Sequence, residues 1–153
     1  MDGYCCAVRL RGIGEESFFL GDRQRSIPIR WSNLGSASNS LGVEVTPAGD
    51  VLVAGGPGML LFLHADIPVV VQSGCARTLI LCELFVNGEA CGCDGGVTAL
   101  GELRFFHLTA FAPIPQPVNE VTCSIRFSGD IGSVTGVVPR EHASLCLMRE
   151  RES

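Results

Sequence analysis

The chain has 153 residues, 46% hydrophobic and 18% charged, which supplies one well-packed domain spanning 1–153 and excludes global disorder. A net charge of −5 excludes sequence-independent nucleic-acid binding, which needs a basic face to displace counterions, so no nucleic-acid partner is expected. The opening MDGYCCAVRLRG lacks the basic start and apolar run of a signal peptide, and the longest apolar run, GPGMLLFLHADIPVVV, is broken by His64, Asp66 and Pro68, so no membrane span is expected either.

In chain order, AVRLR (7–11) and IPIRW (27–31) are the first short runs rich in Val, Ile and Leu. Between them the paired carboxylates Glu15 and Glu16 read as a solvated, glycine-flanked turn. GVEVTP and DVLVA (42–54) alternate, with Val43, Val45, Val51 and Val53 on one face and Glu44, Thr46, Asp50 and Leu52 on the other. One face of that sheet is therefore core. MLLFLHA (59–65) and VVVQS (69–73) follow as two strands, and then RTLILCELFVNG (77–88). Asn87-Gly88 predicts a type I′ hairpin turn, because both residues take positive φ at little cost. GCDGG (92–96) reads as a glycine-rich surface loop. It is no phosphate cradle, since there is no GxxxxGK[ST] and no helix follows to hold an anion. LRFFHLTAF (103–111), EVTCSIRF (120–127), SVTGVV (133–138) and ASLCLMRE (143–150) complete the series. No window carries the i, i+3, i+4, i+7 apolar stripe of a helix, so short strands punctuated by Gly, Pro, Asn and Asp predict an all-β sandwich or barrel.

Eight cysteines are too few for a disulfide scaffold, and none forms a CxxC pair or stands at zinc-finger distance from another pair. Cys82, Cys123 and Cys146 lie in apolar stretches and read as small hydrophobes of core or interface. Cys5, Cys6, Cys91 and Cys93 are the better candidates for intermolecular disulfides, although little positive charge is near to lower a thiol pKa; Cys75 completes the set. His64, His107 and His142 are scattered, and the first two sit in apolar strands where a structural imidazole is the expected role. A Cys-His nucleophile pair would need one of these rings to meet a cysteine in space. No GxSxG or HExxH is present.

Three phrases carry a family resemblance: VTPAGDVLVAGGPGMLLFLHADI, the hairpin LILCELFVNGEA, and the closing ASLCLMRE. Over roughly residues 17–150 they resemble the C1q/TNF-like jelly roll, and within it the C-terminal domains of BclA-type collagen-like spore-surface (exosporium) glycoproteins. Two departures stand out: Met59 replaces the tyrosine usual after the glycine, and no Gly-X-Y repeat precedes the domain. The resemblance implies a two-sheet antiparallel jelly-roll sandwich that forms a homotrimer by packing apolar strand faces about a threefold axis. A mean hydropathy of +0.34 points the same way, because excess apolar surface marks an interface. Leu61, Leu63, Phe105, His107 and Phe111 are the interface candidates. No cofactor is implied. Calcium, which some members of the wider family bind at the trimer apex, would draw on Asp94 and Asp130. The implied role is a non-enzymatic structural or recognition head at a bacterial cell or spore surface, with itself and a surface protein or glycan as partners. A receptor-binding head of a phage or viral fibre and a Cys-His enzyme are the competing expectations.

Overall fold

The structure, a computed structural model, describes residues 8–12, 15–20, 26–32, 42–74, 77–128, 134–139 and 143–151. Thirteen strands account for most of them: β1 Val8–Gly12, β2 Glu15–Leu20, β3 Ser26–Pro28, β4 Trp31–Ser32, β5 Val43–Val45, β6 Val51–Ala54, β7 Met59–Ser73, β8 Arg77–Val86, β9 Glu89–Ala99, β10 Leu103–Pro113, β11 Val118–Ser128, β12 Val134–Pro139 and β13 Ser144–Arg151. Every pairing is antiparallel, and the strands form two sheets. One runs β2-β12-β7-β13-β1-β4, with β10 on the other edge of β7. The second runs β5-β6-β11-β8-β9, with β3 also paired to β11. Among the described residues there is no helix, and so none long and apolar enough to cross a membrane. This is the two-sheet antiparallel jelly roll that the sequence predicts.

The core forms where the inward faces meet. Leu61, Leu63, Ala65, Ile67, Val69 and Val71 of β7 and Phe106, Leu108 and Ala110 of β10 pack toward Val51, Val53, Ile80, Cys82, Leu84, Val121, Cys123 and Ile125 of the second sheet. Alternation along each strand selects these residues, since neighbours in sequence point to opposite faces. Val43, Val51 and Val53 are buried and Val45 packs against the core, as their pattern predicts.

Three local expectations are corrected. MLLFLHA and VVVQS are one fifteen-residue strand, β7, which continues through Pro68. β13 pairs with β7 up to Asp66 and β12 takes over at Val70, so the proline, which has no N–H to give, stands where the partner on that edge changes. Glu15 and Glu16 begin β2, paired with Pro139 and Val138, instead of forming a turn. GCDGG is no loop: it is the middle of β9, in register with β8 from Ala90 to Ala99 apart from one irregularity. That irregularity makes Cys91 the extra residue between the pairs Leu84–Gly92 and Phe85–Ala90, where its Sγ donates to the Leu84 carbonyl at 3.5 Å.

The turn between β8 and β9 forms as the sequence predicts, with Asn87 at φ 52° and Gly88 at φ 81°. Asn87 also ties the hairpin to β11, the neighbouring strand of the same sheet. Its Nδ2 donates to Oδ1 of the buried Asn119 at 2.9 Å, while its Oδ1 accepts the Glu120 N–H at 3.0 Å. Asn119 in turn donates to the carbonyls of Val53 (3.1 Å) and Gln116 (2.8 Å). A buried amide with every group partnered fixes how β6, β8 and β11 meet.

Candidate functional site

The outward face of β10, β7 and β13 carries the densest chemistry among the described residues. Register sets it out in rows. His107 of β10 lies opposite Asp66 of β7, which lies opposite Ser144 of β13. The next row is Thr109, His64 and Cys146, and the next Phe111, Phe62 and Met148. On the other side of the polar rows stand Phe105, opposite Pro68, and Leu103, opposite Val70. Apolar ground thus flanks a polar band on both sides.

Within the band both imidazoles converge on one carboxylate oxygen. His107 Nδ1 is 2.5 Å and His64 Nε2 3.1 Å from Asp66 Oδ1, and the two rings lie nearly parallel with centroids 6.4 Å apart. Neighbours hold the three groups. His64 Nδ1 meets Thr109 Oγ1 at 3.3 Å, and the Ser144 hydroxyl donates to Asp66 Oδ2 at 3.4 Å. The backbone N–H of His107 donates to Asp94 Oδ2 at 2.9 Å. Partial burial raises the pKa of Asp66, but the hydrogen bond from His107 and the charges of both rings more than offset it, and the carboxyl is held below its ordinary value.

The apolar flank is open. Phe111, Leu103 and Phe105 are 52%, 51% and 40% exposed. The Phe62 and Phe111 rings meet with centroids 4.5 Å apart and planes tilted by 54°, a geometry that aromatic pairs favour. Beside them lies an apolar depression of about 230 Å³ lined by Phe62, His64, Thr109, Cys146 and Met148.

Of the interface candidates, Phe105, His107 and Phe111 lie on this outward face, but Leu61 and Leu63 do not. Both leucines are buried against the second sheet, because the same alternation that presents Phe62 and His64 turns Leu61 and Leu63 inward. Asp94 lies in β9, not in a loop, and its carboxylate accepts from the edge of β10; Asp130 lies outside the described residues, as do His142, Cys5, Cys6 and Cys75. His64 and His107, read from sequence as structural imidazoles in apolar strands, lie on this outward face with side chains 48% and 64% exposed. Nothing in the sequence joins residues 64 and 107; the spacing His64-x-Asp66 places two polar groups on one strand face, and that was the only legible part of the cluster.

The thiols sort by depth. Cys82 and Cys123 are buried, and burial pushes both upward, Cys123 to about 12. Burial also raises half-buried Cys91, while Cys93 is exposed on the outer side of β9. Cys146 lies opposite His64 in register, so one cysteine does stand beside one ring. Both nitrogens of that ring already have partners in Thr109 and Asp66.

No protein-family model matches the chain, and no curated protein sequence does. Similarity appears in three dimensions. The Eiger TNF of S. frugiperda superposes with a TM-score of 0.61 at 12% identity, over 95% of this chain and 92% of that one. An arabinose-bound α-L-arabinofuranosidase superposes with a TM-score of only 0.41 at 9% identity, over 97% of this chain and 27% of that one, a match too loose to carry an argument. The fold is a TNF-like jelly roll.

Proposed function

We propose that this chain is a non-enzymatic, trimerising head module that assembles through the outward face of β10, β7 and β13 and works in recognition or architecture at a bacterial cell or spore surface. The observation that carries the reading is the exposed apolar ground on that face, where Phe111 stands open beside Phe62 and Met148 on one side of the polar band and Leu103 and Phe105 stand open on the other. Exposed apolar surface of this kind marks an interface, and a closed symmetric oligomer is the ordinary way to cover it. The TNF-like fold supports a self-association reading over an enzymatic one, as does the engagement of both His64 nitrogens away from Cys146.

Light scattering under reducing and non-reducing conditions tests it. A mass near three times 16.2 kDa that survives reductant is expected. A monomer at micromolar concentration overturns the proposal, and a trimer that separates on reduction overturns its non-covalent basis.

A further inference from the structure

The geometry points to a divalent transition-metal site, of the zinc class, made by His64, Asp66 and His107 of a single chain. Their donor atoms, one from each residue, all lie within 4.8 Å of one another. Two imidazole nitrogens and one carboxylate oxygen form a donor set that suits Zn²⁺ and its first-row neighbours and leaves at least one position open. The inference goes beyond self-association and stands without it, because every ligand comes from one protomer.

Three features mark this as more than a chance cluster. First, the ligands stand on two paired strands, β7 and β10, where the ladder fixes their Cα positions, so a rigid scaffold carries the site. Second, two of the three ligand side chains have an outer partner. Thr109 Oγ1 lies 3.3 Å from His64 Nδ1, a partner for that nitrogen when Nε2 turns its lone pair to the centre, and the Ser144 hydroxyl donates to the carboxylate oxygen turned away from the two rings. Bonds of this kind aim metal ligands, while Asp94 anchors His107 through its backbone N–H. Third, the movement required of the two contacts to the carboxylate is small. Donor atoms around tetrahedral zinc stand about 3.3 Å apart, given bonds of about 2.0–2.2 Å. The present contacts of 2.5 and 3.1 Å to Asp66 Oδ1 are therefore too short to admit an ion and must open by less than about 1 Å. Both rings, 48% and 64% exposed in the single protomer, have room to turn. In the single protomer the open position faces outward, beside the apolar depression at Phe62 and Met148, where water or an anionic or imidazole group would complete the shell.

The test is titration of the full chain with Zn²⁺ by calorimetry under reducing conditions, with Co²⁺ absorption as a report of coordination. One ion per chain is expected, with binding abolished in His64→Ala and in His107→Ala and weakened about tenfold in Thr109→Val and Ser144→Ala. His142→Ala is expected to bind as the parent does. Circular dichroism and the unfolding midpoint of each variant show that loss of binding is not loss of fold. Absence of binding by the parent overturns the site. So does binding that survives both histidine substitutions and disappears on thiol alkylation, which assigns the ion to cysteines. One ion per three chains also overturns it, in favour of ligands shared about an axis. A monomer that binds one ion leaves this inference standing and removes the trimer.

Discussion

Asn119 is a polar residue on which the packing of the sandwich depends. It is fully buried, and its amide is partnered by Val53, Gln116 and Asn87 from three different segments. Asn119→Ala strands the Val53 carbonyl and leaves the Asn87 amide without its acceptor, so a loss of about 2–4 kcal/mol in urea-unfolding stability is expected. A loss below about 0.5 kcal/mol would show that water replaces the amide. The buried thiols predict a pH dependence. An acid whose folded pKa is raised keeps its proton in the folded state while the unfolded chain gives it up, so stability falls as pH rises above the unfolded value near 9. The fall continues toward the folded Cys123 value of about 12, at about 1.4 kcal/mol per pH unit for each thiol. Denaturant midpoints between pH 8 and 11 check this, and Cys123→Ala flattens the slope while lowering stability throughout. An unchanged slope in that variant would refute the assignment.

At the scale of elements, the informative strand is β9. Its inward side carries Gly92, Asp94 and Gly96, and it leans against the edge of β10. A Cβ at Gly92 would stand 2.9 Å from the Thr109 carbonyl oxygen and 3.0 Å from the Ala110 methyl. That contact is with backbone, which no rotamer change relieves. Gly92→Val is thus expected to cost about 1–3 kcal/mol and to shift the amide resonances of β10 near Thr109. A variant as stable as the parent would mean that β9 and β10 part freely. Gly92, read from sequence as part of a glycine-rich loop, is here a condition for the two sheets to meet at their corner.

For the whole molecule, the face of β10, β7 and β13 decides the state of assembly. Phe111 is half exposed and makes its ring contact with Phe62 on the same face, so an aspartate in its place puts charge on the proposed interface without opening the core. Phe111→Asp is expected to reduce the solution mass to 16.2 kDa, with the β-sheet spectrum retained. An unchanged oligomer would place the interface elsewhere. Leu79 and Val97, opposite one another on β8 and β9, are also exposed.

By itself the sequence determined the all-β class, most strand positions, the turn at Asn87-Gly88 and the inward valines from Val43 to Val53, because these rest on local chemistry: period-two alternation and the cost of positive φ. It determined neither the path of β9 nor the inward aim of Leu61 and Leu63, since both faces of MLLFLH are apolar and glycines mark turns and close approaches alike. Only the tertiary structure joined His64 and Asp66 to His107. Their meeting depends on β10 pairing with β7 in one register, a choice made by long-range packing, and a slip of β10 by one residue would have turned His107 toward the core, away from His64 and Asp66.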